Sequence, residues 1–191
     1  MVKGLSHLLK QAWDNPDMET EHGRLIKWRA SQAIERVERP LRLDRARALG
    51  YKAKRGIFVV RVRLLRGGRR RQRAGVKGRK TRKQTVRKTL KMSYQWVAEI
   101  RAARRYPTLE VLNSYFVGKD GKNYYFEVIM VDPSKPEIKN DRTLAWIANP
   151  ENRRRAERGL TSAAKKSRGH TSKSRNMKVR PSLRAWNRRG K

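Results

Sequence analysis

The hydrophobic positions near the start of the chain recur at the spacing of amphipathic helices. A first helix is predicted before the helix-breaking stretch Asn15-Pro16-Asp17, on a stripe of Leu5, Leu8, Leu9, Ala12 and Trp13. A second helix is predicted from about Met18 to Val37, because acidic residues occupy its first turn and Pro40 lies just beyond its end. Its apolar face would comprise Ile26, Ala30, Ala33, Ile34 and Val37.

Alternation with a period of two appears at Ile57–Leu65 and predicts a β-strand. The other face of this strand begins apolar but continues with Arg61 and Arg63, so we expect it to be open to solvent or to a ligand. The face directed to the core would carry Phe58, Val60, Val62 and Leu64. A short helix is predicted before the strand, around Asp44–Leu49.

The second half of the chain predicts one more helix and a hairpin. The helix runs from the N-cap Ser93 to about Arg105, with an apolar face of Trp96, Val97, Ile100 and Ala103. The hairpin consists of Leu109–Val117 and Lys122–Val131, joined by a short loop between two glycines. Both faces of these strands carry apolar groups, so we expect the sheet to be covered, at least in part, on both sides.

These elements predict an α+β fold, in which a small mixed α/β body with a three-stranded sheet packed by helices carries long basic non-globular extensions. The predicted sheet contains Ile57–Leu65, Leu109–Val117 and Lys122–Val131, with the helices near Leu25 and Trp96 packed on it. Residues 1–65 and 92–157 would form the body. Residues 66–91 would form a basic insertion and residues 158–191 a basic C-terminal extension.

The net charge of the chain indicates that this small domain binds a polyanion. The 191 residues include 51 Lys or Arg and only 16 Asp or Glu, a formal net charge of +35. A compact chain with this charge repels itself unless something neutralises it. Nucleic acid is favoured over a membrane, because no segment approaches about 20 consecutive apolar residues. We expect a cytosolic protein without a targeting segment, since the first residues lack a signal-peptide pattern.

Several classes of chemistry find no support in the sequence. The chain has no cysteine, which excludes disulfides, thiolate zinc sites and cysteine nucleophiles, and its three histidines are scattered. No glycine-rich phosphate-binding loop is present. We therefore expect no enzyme, no cofactor, no metal site, no membrane partner and no small-molecule substrate. Three carboxylates that could be proposed as a catalytic cluster are instead expected to pair with arginines at the surface: Glu99, Glu110 and Glu127.

Two segments without any acidic residue carry the strongest functional indication. Residues 66–91 contain 13 Lys or Arg, and residues 158–191 contain 12. Closely spaced phosphates release counterions when such segments bind, and arginine adds bidentate contacts and stacking. On charge and position we expect RNA contacts from Arg55, Arg61, Arg63, Arg69, Arg70, Arg71, Arg73, Lys77, Arg79, Lys80, Arg82, Lys83, Lys165, His170, Arg175 and Arg180.

The aromatic residues allow two interpretations, contact with RNA or an ordinary structural role. In the stretch 50–56, GYKAKRG, the residues are either a phosphate clamp with Tyr51 against a base, or an ordinary exposed connector. Trp13 and Trp96 lie on apolar stripes and are expected in the core. Trp186 lies in the basic extension, where a contact with RNA or a partner is expected.

Three stretches together resemble one known family. They are RPLRLDRARALGYKAKRG at 39–56, VLNSYFVGKDGKNYYFEVIMVDP at 111–133 and RGLTSAAKKSRG at 158–169. In their order and spacing they are similar to large-subunit ribosomal protein fifteen of the archaeal and eukaryotic type, and the short tail looks more like the archaeal members.

The resemblance implies a protein embedded in large-subunit ribosomal RNA beside neighbouring large-subunit ribosomal proteins, with a small α/β body and no catalysis. Two departures stand out: Arg55 replaces a frequent Gln, and Ala164 replaces a common Gly. By its matching motifs the resemblance implies RNA contacts from Lys52, Lys54, Arg158, Thr161, Ser162, Lys166, Ser167 and Arg168.

Two other functions are alternatives to that of a structural ribosomal protein. A DNA-compacting chromatin protein would show the same charge, but such proteins usually have dimerising folds or repeated tails, and the sequence shows neither. An RNA-modifying enzyme would need a cofactor loop or a convergent acid–base cluster, which the sequence also lacks.

Limited proteolysis tests the expectation for the insertion. Because residues 66–91 have too little apolar surface to offset the entropy of ordering and their mutual repulsion, we expect them to order only against RNA. Protease should cut rapidly between Arg69 and Arg82 in the free protein and slowly in the assembled particle. Equal protection in the free protein would contradict this expectation.

Overall fold

A computed structural model describes residues 4–70, 87–88 and 90–170. Its helices are α1 (Leu5–Asp14), α2 (Met18–Ala30), α3 (Leu43–Ala48), α4 (Tyr94–Arg105), α5 (Pro136–Lys139) and α6 (Ser162–Ser167). Its strands are β1 (Ile34–Val37), β2 (Ile57–Leu65), β3 (Arg69–Arg70), β4 (Arg87–Lys88), β5 (Glu110–Lys119) and β6 (Asn123–Val131), and short 3-10 helices cover Ala145–Ala148 and Pro150–Asn152.

The core is organised by an antiparallel sheet in the order β1-β2-β6-β5. The strand β6 lies in the interior, and eight of its nine residues are buried. Since side chains alternate between the two faces of a strand, a strand buried on both sides must be apolar almost throughout, as NYYFEVIMV is. The mixed α/β fold is therefore confirmed, with four strands in the main sheet rather than three.

Helices cover both faces of the sheet, as expected from the hairpin. On one face, Trp28 of α2 packs on Tyr125 with ring centroids 5.1 Å apart, in a cluster that includes Tyr115, Ile129 and Ile138. On the other face, Ala98 and Ala102 of α4 pack against Val60, Val128 and Met130. Among the residues that the structure describes, no helix has the length and apolar character needed to cross a membrane.

The prediction of a single helix from Met18 to Val37 is wrong in its second half. The helix ends at Ala30, and Ile34–Val37 forms the edge strand β1, with Ile34 opposite Val62. The free edge of β2 offers these residues backbone partners, and β-branched Ile34 and Val37 suit a strand. The predicted apolar face of this helix is also wrong, because Ile26 is 51% exposed while Trp28, which was not on that face, is buried.

The expectation that the arginine side of β2 is open to solvent is wrong for Arg61. Its side chain is only 15% exposed, pairs with Glu35 at 2.5 Å and lies over the ring of Trp28 at 5.1 Å. Arg63 donates from Nη1 to the carbonyl oxygens of Trp28 and Arg29 at the end of α2. Both arginines thus join α2 and β1 to the sheet, because the terminal carbonyls of α2 and the carboxylate of Glu35 provide acceptors beside the strand.

Glu127 is buried in the sheet rather than paired at the surface, which corrects the expectation for this carboxylate. Its side chain accepts hydrogen bonds from the Tyr115 hydroxyl at 2.5 Å and from the backbone N–H of Leu41 at 3.1 Å. Burial raises the pKa of Glu127, against these two hydrogen bonds and Arg61, which lower it. The carboxyl therefore fastens the segment before α3 to the sheet.

Glu127 should make stability depend on pH. A buried carboxyl with a raised pKa holds its proton longer in the folded chain than in the unfolded chain. The contribution of Glu127 to stability is therefore fully present below 4.5, the ordinary pKa, and is lost as pH rises through the raised pKa. In Glu127→Gln, the free energy of unfolding from urea denaturation should decline less between pH 4.5 and 7. The exposed Glu151→Gln is the control, and an equal decline in both variants would contradict the assignment.

Candidate nucleic-acid interface

The N-terminal end of α4 is the point where the two basic segments meet the body. The Tyr94 hydroxyl lies 2.8 Å from the backbone nitrogen and 2.9 Å from the carbonyl oxygen of Gly67, at the start of the 66–91 segment. The backbone N–H of Ser93 donates to the Ser167 hydroxyl at 2.9 Å, near the end of α6. One turn of helix thus fixes both segments at neighbouring positions.

The start of the 66–91 segment is held by the hairpin as well as by Tyr94. The backbone N–H of Arg66 donates to the Lys122 carbonyl at 2.8 Å, and its guanidinium donates to the Asp120 carbonyl at 2.9 Å. Its charge lies over the Tyr124 ring, 5.1 Å from the centroid. Beyond it, Arg69 pairs with Lys88 in a short antiparallel ladder. The chain leaves the body and returns to it side by side, which concentrates positive charge at one place.

The start of the C-terminal segment is held by a buried carboxyl. Glu99 of α4 is fully buried, and it accepts hydrogen bonds from the hydroxyls of Ser114 and Thr161, each at 2.5 Å. Burial raises the pKa of Glu99, while these two hydrogen bonds and the charge of Arg155 lower it. The expectation of a surface ion pair is therefore wrong, because Ser114 of β5 and Thr161 at the start of α6 enclose the carboxyl.

Arg155 and Glu110 fasten the chain just before this point. Arg155 is buried, donates to the carbonyl oxygens of Val111 and Leu112, and lies over the Trp146 ring at 4.8 Å. Burial lowers its pKa, against the attraction of Glu99 and Glu110. Glu110 is also buried, which corrects its predicted surface pairing, because its carboxylate accepts the backbone N–H of Arg154 at 2.8 Å. These contacts direct the chain from the sheet toward α6.

The predicted RNA-contacting residues of 158–170 divide into exposed and internal groups. Ser162, Lys165 and Lys166 are exposed, and Arg158 is exposed although its guanidinium donates to the carbonyl oxygens of Glu151 and Arg153. Thr161 is fully buried with its hydroxyl on Glu99, and Ser167 accepts from Ser93. The Arg168 guanidinium folds back onto the Gly159 carbonyl at 3.3 Å. This part of the predicted extension therefore combines docking contacts with an exposed cationic face.

His170 lies at the last described position of the chain. Its pKa is lowered by burial and by the nearby charges of Arg168 and Lys165. An imidazole with a lowered pKa is neutral at pH 7.

The stretch 50–56 forms a rigid loop on the opposite side of the sheet from α4. Lys52 reaches Asp141 at 2.9 Å and the Thr143 hydroxyl at 2.7 Å, and Lys54 pairs with the same carboxylate. Lys54, Thr143 and Lys52 together hold the pKa of Asp141 far below its usual range. Because two ammonium groups share one carboxylate, the cluster keeps net positive charge. Arg55 is exposed beside it.

The remaining predicted site residues lie wholly or partly outside the described structure. Arg69 and Arg70 are described as a strand only, and the others lie in undescribed parts of the chain: Arg71, Arg73, Lys77, Arg79, Lys80, Arg82, Lys83, Arg175 and Arg180. Trp186 lies there too. For all of them the RNA contact stays a prediction.

The residues that position the interface were missed from the sequence. Ser93, Tyr94 and Glu99 carry no charge pattern that indicates nucleic acid, and Glu99 was assigned to the surface. No local pattern marks Glu99 as buried, because its partners Ser114 and Thr161 lie 15 and 62 residues away along the chain. Among the described residues, no group of three or more His, Asp or Glu side chains could hold a metal ion.

Comparison with known proteins decides the assignment. A family model described as Ribosomal L15 matches residues 1–186. The chain belongs to the Ribosomal L15 family. Members of this family are structural proteins of the large ribosomal subunit in the cytoplasm and are not enzymes, so the predicted family, non-enzymatic role and localisation are confirmed.

Two relatives within the Ribosomal L15 family show how far the similarity extends. The protein named large ribosomal subunit protein eL15 of Methanocella arvoryzae is 48% identical over 197 residues, covering 100% of both chains. The protein of the same name from Methanospirillum hungatei is 51% identical over 191 residues, covering 97% of each chain. The similarity therefore includes both basic segments as well as the folded body.

Thr161→Val should loosen the C-terminal segment from the body. The isosteric change removes one donor from the buried Glu99 carboxyl and the cap on the Ala164 N–H, at a cost of about 1–3 kcal/mol in the free energy of local opening. Hydrogen exchange of the amides from 161 to 168 should accelerate accordingly. Ser162→Ala removes an exposed neighbouring hydroxyl and serves as the control; identical exchange in both variants would contradict the docking role.

Proposed function

We propose that this protein binds large-subunit ribosomal RNA through its two acid-free basic segments, and that its body holds these segments at adjacent positions. The main support for this proposal is that both segments are attached at the start of α4, where Tyr94 is hydrogen-bonded to Gly67 and Ser93 to Ser167. In this function the carboxyl of Glu99 positions the C-terminal segment and does not touch the RNA.

Electrostatics supports a polyanionic partner at this end of the molecule. On α6 the cationic side chains of Lys165 and Lys166 are exposed, and Arg158 precedes them. Among the described residues, none of these three forms an ion pair with a carboxylate. Their charge is available to phosphates, which gain from the release of condensed counterions.

Sedimentation distinguishes this function from DNA compaction. The protein should migrate with large subunits in a sucrose gradient of cell extract. RNase treatment should release it, and DNase treatment should leave its position unchanged. Release by DNase would support a chromatin protein instead. In a separate experiment on the intact particle, neighbouring ribosomal proteins of the large subunit should cross-link to this protein.

Salt dependence of binding tests the exposed face of α6. For Lys165→Gln/Lys166→Gln, the slope of log K against log salt should become shallower by roughly 1.4 to 1.8, since each phosphate contact contributes about 0.7 on single strands and about 0.9 on a duplex. Titration of the full chain with large-subunit RNA at several salt concentrations measures it.

A variant with the same net charge provides the control. Lys10 on α1 and Lys27 on α2 are exposed on helices that pack on the opposite side of the sheet from α4. Lys10→Gln/Lys27→Gln should leave the slope closer to that of the unaltered protein. If both double variants lose the same slope, the binding depends on total charge alone and α6 is not part of the interface.

A further inference from the structure

A second basic surface lies outside the two basic segments, as an open groove of about 950 Å³ beside the loop 50–56. Its walls come from the end of β1, the start of β2, the loop and the turn before α5. Gly56 makes this arrangement possible: its φ of +85° favours glycine, and a Cβ there would lie 2.9 Å from the Ile138 side chain. The groove is therefore shaped by backbone packing and not only by mobile side chains.

One wall of the groove carries a stacked arginine. The guanidinium carbon of Arg36 lies 4.3 Å from the centroid of the Phe58 ring, on the exposed edge strand β1. A guanidinium held over an aromatic ring is already oriented, so less entropy is lost when its other face or its N–H groups bind a ligand. Tyr51 contributes a second, half-buried ring to the same groove.

The rim of the groove carries cations that the folded chain does not neutralise. Five cationic and two acidic side chains line it, and because Lys54 pairs with Asp141, four cations remain against two carboxylates, a net charge of +2. Arg39, Arg55 and Lys135 are exposed and form no ion pair with any residue that the structure describes. A ligand for this groove must therefore be anionic, and it must also offer a flat surface to the stacked arginine.

We propose that the groove binds an unpaired nucleotide of RNA, with its base stacked on the outer face of the Arg36 guanidinium and its phosphates on Arg39, Arg55 and Lys135. This inference rests on the proposed RNA-binding function and adds a site outside the two basic segments. A single strand fits better than a duplex, because only unstacked bases present their faces to arginine planes. The groove volume lies within the range of about 300–1,000 Å³ typical of ligand pockets.

Base stacking and charge can be separated with two RNA probes. One is a fluorescently labelled oligoadenylate, and the other is an abasic oligoribonucleotide of the same length and phosphate number. The unaltered full chain should bind the oligoadenylate more tightly, and fluorescence anisotropy measures both affinities. Arg36→Lys keeps the charge but removes the planar surface, so the preference for bases should fall roughly tenfold, the order expected for one stacked base.

Two further variants make the test specific. Phe58→Leu removes the ring behind the guanidinium, and it should weaken the preference for bases as Arg36→Lys does. Arg101→Lys changes an exposed arginine on α4 that does not line the groove, and should leave the preference unchanged. Circular dichroism of each variant confirms that the sheet is intact, and Arg36 is exposed on an edge strand, so its replacement leaves the core in place.

Ultraviolet cross-linking of intact large subunits provides an independent measurement without any substitution. Peptides that contain Tyr51 or Phe58 should carry a cross-linked nucleotide. An undiminished base preference in both Arg36→Lys and Phe58→Leu, together with no cross-link on these peptides, would overturn the groove and leave RNA binding by the basic segments intact. An equal loss of preference in Arg101→Lys would also overturn it. Failure of the unaltered chain to bind any RNA would instead refute the proposed function.

Discussion

Excess positive charge is the constraint on which the rest of this structure depends. With 51 basic and 16 acidic side chains, the chain cannot neutralise itself, and repulsion opposes any compact arrangement. The body meets this constraint by building its core from a strand that is nearly all apolar, β6, with helices on both faces of the sheet. In the proposed function, RNA supplies the counter-charges of the two acid-free segments.

The scarce carboxylates are used for positioning more than for neutralisation. Glu99, Glu110 and Glu127 are all buried, and each accepts hydrogen bonds from a segment that has to be fastened to the sheet. A buried carboxyl is costly without partners, so each of these contacts is specific in geometry. Asp141 has a similar positioning role, since this one carboxylate pairs with both Lys52 and Lys54. It thereby fixes the basic loop and still leaves a net positive charge.

Local patterns predicted the elements that depend on neighbouring residues. The strand Ile57–Leu65 has the predicted bounds, Ser93 caps α4 as expected, and the hairpin lies within two residues of its predicted strands. What failed depends on distant partners. Ile34–Val37 becomes a strand only because β2 offers a free edge, and Glu99 becomes buried only because α6 closes over it. Hydrophobic spacing contains no information about a strand edge 28 residues away, as at Val62 for Ile34, or about a hydrogen-bond partner 62 residues away, as at Thr161 for Glu99.

The candidate site shows the same division between what charge indicates and what geometry requires. Lysines and arginines of the basic segments are evident from composition, whereas the groups that aim them are uncharged, such as Tyr94 and Ser93, or buried, such as Glu99. A flexible basic tail would bind phosphates anywhere along an RNA. In the proposed function, fixing two such segments to one turn of α4 lowers the entropy lost on binding, and the binding of one segment raises the effective concentration of the other. In the proposed function, the folded body therefore sets the relative position of the two segments, and the basic segments provide the affinity for RNA.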